Sequence, residues 1–160
     1  MAVKTSHILI KLTELMSWLP MTFVRFQRWI YDLTGGRIMT TIEGCPICVV
    51  TMTGAKSGKI RKYPLMYVPY IDGVLLVASR GGTPINPVWY YNLKANPDIE
   101  VHHKGVRKNL HARHASVEEK AEVWPTCVEH YPSYADYQDW STRDIPVFIC
   151  LPQHLSESAS

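Results

Sequence analysis

A short cationic turn is the first group of residues in this sequence that could do chemistry. It contains two glycines and four cations: Gly54, Gly58, Lys56, Lys59, Arg61 and Lys62. Glycines leave backbone N–H groups open to a ligand, and with the cations they form a cradle suited to phosphate or carboxylate. It is not a P-loop, because Ile60 stands where Ser or Thr would hold magnesium and because strands flank it on both sides. A solvated basic hairpin tip is the alternative interpretation.

A second candidate lies where a strand runs into a helix start. Ser79-Arg80-Gly81-Gly82 is followed within a few residues by Pro87, which fits the first helical position, with Asn86 as the predicted N-cap. The glycines permit close backbone approach, and the helix start adds partial positive charge. Both features favour a phosphate or an electron-rich ring system, while a plain connection with Trp89 in the core is the alternative.

Aromatic residues recur at a spacing of three near the end of the chain, at Tyr131, Tyr134, Tyr137 and Trp140. The three tyrosines share one broad face of a helix, where their hydroxyls could line a pocket for a planar substrate and supply a proton. The alternative is an aromatic stripe packed against a sheet.

The cysteines and histidines do not predict a metal or redox centre. Cys45 and Cys48 have CxxC spacing, but a strand follows them, whereas a redox CxxC opens a helix. Zinc would need a second ligand pair. His111 and His114 fall on opposite faces of a predicted strand and lie beside cations, which indicates a solvated edge. Any catalytic power is therefore expected from a bound cofactor.

Composition excludes several classes of protein. The 160 residues are 46% hydrophobic and 19% charged, which predicts one globular domain rather than a disordered chain. Nine tyrosines against three phenylalanines favour partly solvated surfaces such as a ligand site or a membrane interface. The net charge of +3 favours an anionic ligand or lipid surface and is too small to indicate nucleic acid.

Strands and hairpin turns dominate the elements that must position these residues. We predict strands at 47–53, 61–70, 74–79, 99–103, 106–115 and 145–151, with hairpin turns at Asp72-Gly73 and Lys104-Gly105. Helices are predicted at 87–95 and 133–140, and a third helix, capped by Ser116 with Glu118 and Glu119 in its first turn, runs towards His130. Pro64 and Pro69 indicate an edge or bulged position in the second strand. The hairpins predict an α+β fold with a mainly antiparallel sheet that closes into a small barrel over residues 41–152, followed by a tail at 153–160.

The N-terminal 40 residues form a predicted amphipathic helical segment. Apolar residues recur every three or four positions from Ile8 to Ile30, with Pro20 as an interruption. The segment could lie on an anionic membrane or cover the domain's own core, and its longest uncharged run is too short to span a bilayer. With no signal peptide evident, the expected location is the cytoplasm, with peripheral contact at the inner face of the plasma membrane as an option.

Six ordered blocks resemble the deazaflavin-dependent nitroreductase family over roughly residues 45–152. They are Thr53-Gly54-Ala55-Lys56-Ser57-Gly58-Lys59, Pro64-Leu65-Met66-Tyr67-Val68, Val77-Ala78-Ser79-Arg80-Gly81-Gly82, Pro87-Val88-Trp89-Tyr90-Tyr91-Asn92-Leu93-Lys94-Ala95-Asn96-Pro97, Tyr131-Pro132-Ser133-Tyr134-Ala135-Asp136-Tyr137-Gln138 and Ile145-Pro146-Val147-Phe148.

The resemblance implies a split β-barrel, like that of flavin-mononucleotide-binding proteins, and an enzyme that uses the reduced 8-hydroxy-5-deazaflavin coenzyme. Hydride would pass to a quinone, or to a nitroaromatic compound such as a nitroimidazole. Carried over by motif, the coenzyme-binding residues are Lys56, Ser57, Lys59, Arg61, Ser79, Arg80, Gly81, Gly82, Pro87, Trp89 and Tyr90. The substrate side is implied to contain Tyr67, Tyr131, Tyr134 and Tyr137, the last three as catalytic residues.

Two residues depart from the family pattern. Ala55 stands where the family often has arginine, and Arg80 stands where lysine is usual, which keeps the charge but changes its geometry. Two other functions stay open. One is a split barrel that binds flavin mononucleotide or haem, and the other is a non-catalytic lipid- or membrane-associated binding module. The oligomeric state and the natural acceptor are not predicted.

Overall fold

Eight strands, a 3-10 turn and three α-helices make up the part of the chain that the computed structural model describes, residues 41–42 and 44–153. The strands are β1 (Thr41–Ile42), β2 (Cys45–Thr53), β3 (Ile60–Met66), β4 (Val68–Tyr70), β5 (Gly73–Val77), β6 (Asp98–His103), β7 (Val106–His114) and β8 (Val147–Leu151). The helices are α1 (Val88–Ala95), α2 (Val117–His130) and α3 (Ser133–Trp140), and the 3-10 turn is Arg80–Gly82.

The strands pair antiparallel in the order β1-β2-β6-β7-β8-β5-β4, and β3 pairs with β2. Only Tyr67 separates β3 from β4 along the chain, yet β4 pairs with β5 at the far end of this order. The sheet must therefore curl until its two ends meet, which makes a barrel that is split between β3 and β4. The predicted α+β class and split β-barrel are confirmed.

Inward-facing side chains from five strands fill the barrel. Alternation along β2 sends Cys48, Val50 and Met52 inward, and Trp89 and Leu93 of α1 join the same cluster. The cluster also contains Val74, Leu76, Ala78, Ile99, Val101, Leu110, Ala112, Phe148 and Cys150. Helix α1 is thus held by the barrel interior through its apolar face.

Helices α2 and α3 cover the outer face of β5 and β8. Val123 and Cys127 of α2 and Tyr134 of α3 pack there against Leu75 and Ile149. Every residue of β5 and β8 is buried, which is the pattern of strands covered on both faces. The position of α3 follows from this contact.

Several boundaries differ from the sequence-based expectation, and the strand predicted at 74–79, for example, ends at Val77. The predicted strand 61–70 breaks at Tyr67, whose N–H donates to the carbonyl of Pro46 at 2.8 Å. Asn86 is not the N-cap of α1, because Pro87 takes that position with extended backbone and no side chain caps the helix. The last strand begins at Val147. Both prolines of the 61–70 segment lie in strands with one neighbour, as predicted for an edge.

Helix α2 begins with the predicted cap at Ser116. The Ser116 hydroxyl accepts from the N–H of Glu119 at 3.2 Å, and the Glu119 carboxylate accepts from the N–H of Ser116 at 2.9 Å. Arg113 donates to both oxygens of that carboxylate, at 2.7 and 2.6 Å. The hydrogen bonds from Arg113 are the main reason that the pKa of Glu119 is lowered from 4.5 to about 2. This joins α2 to β7.

Replacing Glu119 with glutamine should remove an acid-sensitive part of the stability. A carboxyl whose pKa is lowered in the folded state stabilises it above its unfolded pKa, and this contribution is lost as the pH falls from 4.5 towards about 2. Because both side chains are about 30% exposed (32% and 29%), solvent screening reduces the contribution to about 1–2 kcal/mol.

Urea unfolding between pH 7 and pH 3 measures this effect. Wild type should lose more stability than Glu119→Gln over that range. Glu122→Gln, on the exposed side of the same helix, is the matched control and should follow wild type. Parallel stability curves for wild type and Glu119→Gln would contradict the prediction.

Cys45 and Cys48 lie in strand β2, as the strand interpretation of the CxxC pair predicts, and no disulfide occurs among the described residues. Burial raises the pKa of the Cys48 and Cys127 thiols to about 12, so they remain protonated. No group of three metal-ligating side chains occurs among the described residues. Within the same residues, no helix combines the length and hydropathy needed to cross a bilayer. The predicted N-terminal segment, residues 1–40, and the tail from residue 154 lie outside the described residues.

Candidate active site

The turn after β5 is a glycine loop with unusual backbone conformation. Arg80, Gly81 and Gly82 have φ angles of +46°, +63° and +75°. A Cβ atom on Gly82 would lie 2.8 Å from the carbonyl oxygen of Tyr137, whereas a Cβ on Gly81 would meet nothing within 4 Å. Gly82 therefore packs directly on the backbone of α3, while Gly81 faces open space where a ligand can approach.

Arg143 holds this loop, although it is not among the site residues predicted from the sequence. Its guanidinium donates to the carbonyls of Ala78 at 2.8 Å, Ser79 at 3.0 Å and Thr83 at 3.0 Å. Arg143 is separated from these partners by 60 or more positions. It is a lone cation before the last strand, and no spacing in the sequence distinguishes it from a surface arginine.

The cationic turn is present and is tied to helix α1 through Asn92. This side chain is only 5% exposed; its Oδ1 accepts from the N–H of Ala55 at 3.0 Å, and its Nδ2 donates to the Tyr63 hydroxyl at 3.2 Å. A buried amide with partners on both ends fixes the turn against α1. The two candidate ligand cradles, the cationic turn and the α1 start, are thus parts of one connected unit.

The turn presents its cations, not its glycine amides. The N–H of Gly54 donates to Lys59 and that of Gly58 donates to Gly54, at 2.8 and 2.9 Å. The expectation that these groups stay open to a ligand is wrong, because a tight turn uses them internally. The side chains of Lys56, Ser57, Lys59 and Arg61 are exposed and are therefore open to an anion.

The aromatic residues of α1 occupy two different environments. Trp89 is 6% exposed and packs inside the barrel, with its ring 6.1 Å from that of Phe148. This is the core position that the alternative interpretation of this segment assigned to it. Tyr90 is half-buried, lies edge-on to Phe148 at 5.6 Å, and has the Lys94 ammonium 5.6 Å from its ring. Tyr90 is therefore better placed than Trp89 to touch a ligand.

The three late tyrosines come together on the outer face of the barrel. The hydroxyls of Tyr131 and Tyr137 are 3.2 Å apart, and the rings of Tyr131 and Tyr134 lie edge to face at 4.9 Å. Tyr131 and Tyr134 are buried, and Tyr137 is half-buried. Burial is the main reason that the pKa of Tyr134 is raised, so its hydroxyl stays protonated. The rings pack as the stripe interpretation predicts, and the hydroxyls of Tyr131 and Tyr137 meet, while their role toward a substrate stays a prediction.

Tyr67 does not join this group. Its ring stacks on His103 with centroids 3.7 Å apart, and the two rings are nearly parallel. His103 is anchored through Nδ1 to the carbonyl of Ile47 at 2.7 Å. Together they line a cavity of about 320 Å³ near the β6–β7 turn, which Lys104 and Lys108 also border. None of the three late tyrosines lines this cavity.

The fold defines a class of protein, the split β-barrels, and the glycine loop and the cationic turn add a surface that is open to a ligand. Comparison with known proteins specifies the class further. The family model of the F420H(2)-dependent quinone reductases matches residues 23–152. The chain therefore belongs to the F420H(2)-dependent quinone reductase family. It is an oxidoreductase whose cofactor is the reduced deazaflavin coenzyme F420.

Individual relatives agree with this assignment. The chain is 37% identical over 130 residues to a protein of Mycobacterium tuberculosis named F420H(2)-dependent quinone reductase. The matched region covers 79% of this chain and 87% of that protein. A solved F420-H2 dependent reductase is 46% identical with a TM-score of 0.62, covering 66% of this chain and 93% of the other. Another solved chain, described as a domain-swapped dimer, is 41% identical with a TM-score of 0.65, covering 82% and 98%.

The residues present fit the deazaflavin coenzyme. Beside the glycine loop, Asn86 Oδ1 and Arg143 Nη1 are buried and have no hydrogen-bond partner among the described residues. Arg80 donates to the Asn86 carbonyl at 3.4 Å, which places Asn86 next to the loop. One unpaired acceptor and one unpaired donor complement a ring edge that carries N–H and carbonyl groups. The exposed cations of the turn complement its phosphate and glutamyl carboxylates.

Proposed function

We propose that this protein reduces a quinone with the deazaflavin coenzyme at the junction of the glycine loop and α3. The observation that carries the proposal is the direct backbone contact of Gly82 with Tyr137. This contact joins the loop of residues 79–82, which the family resemblance implies to hold the coenzyme ring, to Tyr137, which the resemblance implies to face the quinone. When bound, the coenzyme supplies the hydride, and the protein's task is to align the two reactants and deliver a proton.

On this proposal, the chain binds the coenzyme in two places. Lys56, Ser57, Lys59 and Arg61 hold the phosphate and the glutamyl tail, as charged and polar groups on an exposed turn can. The ring lies against the loop of residues 79–82 with Pro87 and Tyr90, and Trp89 supports this wall from inside the barrel. Asn92 keeps the two places at a fixed separation.

The tyrosine cluster supplies the proton. A quinone that accepts a hydride develops negative charge on oxygen, which a hydroxyl can stabilise and then protonate. Tyr137 is half-buried next to the loop and is hydrogen-bonded to Tyr131. That bond gives Tyr137 a second hydroxyl through which the proton can be replaced. Nitroimidazole reduction stays a prediction, as does the contact of the N-terminal segment with an anionic membrane.

Lys56→Ala should weaken coenzyme binding about tenfold, the loss typical of one charge-assisted contact. Because salt screens exposed charges, the affinity of the variant should also depend less steeply on ionic strength than that of wild type. Titration of the coenzyme into the protein, followed by its fluorescence at several salt concentrations, measures both quantities. Lys104→Ala, on the exposed β6–β7 turn, is the matched control and should bind like wild type. Unchanged affinity and salt dependence in Lys56→Ala would refute the tail-binding role.

A further inference from the structure

The backbone of the glycine loop is held only in part by the loop itself, where the N–H of Gly82 donates to the carbonyl of Ser79 at 3.0 Å. Arg80, Gly81 and Gly82 all lie in the left-handed region. This conformation costs free energy at Arg80, which is not a glycine, and it persists there only where the surrounding structure imposes it. Tyr137 restrains the loop at Gly82, whereas a Cβ placed on Gly81 would meet nothing within 4 Å. The loop therefore needs a further restraint.

Arg143 is placed to supply this restraint. Two of its carbonyl partners, Ala78 and Ser79, precede the left-handed residues, and the third, Thr83, follows them. The planar guanidinium therefore brackets the loop, with donors in fixed directions. Its own backbone is anchored by hydrogen bonds with Ser141 and Gln138, at 3.3 and 3.0 Å. This clamp, the side chain of Arg143 across residues 78–83, is thus attached to the last turn of α3 and to the segment that follows it.

The clamp has features that a purely structural arginine does not need. Its Nη1 is buried and has no hydrogen-bond partner among the described residues, an arrangement that costs stability. Burial is the main reason that the pKa of Arg143 is lowered, and the positive charge of Arg80 acts in the same direction. Two cations and an unpaired donor at one loop favour a ligand with negative or carbonyl oxygens there.

We propose that Arg143 is a positioning residue that holds residues 79–83 in the conformation that binds the coenzyme ring. This inference rests on the proposed function. It predicts that the loop is mobile without Arg143 and that part of the coenzyme's binding energy is then used to order it. Lysine keeps the charge but cannot bracket three carbonyls from one plane, so Arg143→Lys should be only a partial replacement.

The test compares wild type, Arg143→Lys and Arg143→Ala by two measurements made well below their melting temperatures. Fluorescence titration with the reduced coenzyme should give a Kd raised about tenfold or more for Arg143→Ala and by less for Arg143→Lys. Hydrogen exchange of the peptide covering residues 79–83, without coenzyme, should be faster in both variants. Arg107→Ala, which breaks the exposed ion pair with Glu100, is the matched control and should change neither measurement.

Faster loop exchange with a wild-type Kd overturns the proposal, because ordering of the loop would then contribute nothing to coenzyme binding. Wild-type Kd together with wild-type exchange in the loop overturns the role of Arg143. A raised Kd with unchanged loop exchange also overturns it, since the effect would then be direct contact and not positioning. If Arg143→Ala does not fold, Arg143→Lys alone decides by the same two measurements. If wild type itself fails to bind the coenzyme, the proposed function falls, and faster exchange in the variants would still identify the clamp.

Discussion

Gly82→Ala should lower kcat/KM by about 100-fold or more and reduce the free energy of unfolding by about 2–4 kcal/mol. The new Cβ would lie 2.8 Å from the carbonyl oxygen and 3.2 Å from the Cα of Tyr137. Both are backbone atoms, so no side-chain rotation can relieve the clash, and the loop or α3 must move. Either movement separates the coenzyme wall from the tyrosine cluster, and misplacement of about 1 Å is enough for a loss of this size.

Gly81→Ala is the matched control for this prediction. Its φ angle of +63° gives alanine a similar backbone penalty of about 1–2 kcal/mol, but its Cβ meets nothing within 4 Å. The difference between the two variants therefore isolates the contact with α3. Steady-state kinetics with coenzyme and a quinone, together with urea unfolding, measure both effects. Equal losses of stability and activity in the two variants would show that the Gly82–Tyr137 contact does not matter.

Tyr137→Phe should lower kcat with a quinone about 100-fold, the usual contribution of a positioned proton donor, while the Kd for the coenzyme stays near that of wild type. The substitution removes the hydroxyl that meets Tyr131 and keeps the ring that packs against Trp140, 5.9 Å between centroids. The loss should therefore appear in turnover and not in folding. Steady-state kinetics and the coenzyme titration separate these quantities.

The other tyrosines provide the controls. Tyr134→Phe should also lower turnover, but by less, because Tyr134 is buried while Tyr137 is half-buried beside the loop. If Tyr131 and Tyr137 act as one hydrogen-bonded pair, the double variant with Tyr131→Phe and Tyr137→Phe should lose little more turnover than Tyr137→Phe alone. Wild-type turnover in Tyr137→Phe, in Tyr134→Phe and in the double variant would identify the tyrosines as packing residues and the solvent as the proton source.

The elements of the fold were largely predictable because their signals are local. The strands β2, β6 and β7 were predicted to within two residues of their observed ends, and the turns at Asp72-Gly73 and Lys104-Gly105 join the strands they were expected to join. Ser116 with Glu119 makes the capping box at the predicted helix start. Each of these signals lies within a few consecutive residues and needs no knowledge of the rest of the molecule.

The errors have two sources, a long-range hydrogen bond in one case and a competing local rule in the other. Pro64 and Pro69 were correctly taken as edge residues, but the break between them at Tyr67 depends on a hydrogen bond to Pro46, 21 positions earlier. Asn86 has a side chain suited to capping, yet the extended backbone of Pro87 moves the helix start beyond its reach. The partner of an amide or carbonyl is decided by what the fold brings near it.

The sequence by itself predicted the groups that this chemistry would need: cations for an anionic tail, glycines for close approach to a ring, and tyrosine hydroxyls for a proton. Tertiary structure alone decided which of these groups lie together. It placed Gly82 against Tyr137, linked the cationic turn to α1 through Asn92, moved Tyr67 to a separate cavity, and set Arg143 across the loop. The physical reason is distance along the chain. Asn92 and Arg143 bond to partners 37 and 65 positions away, and only the curl of the sheet and the docking of α3 bring them together.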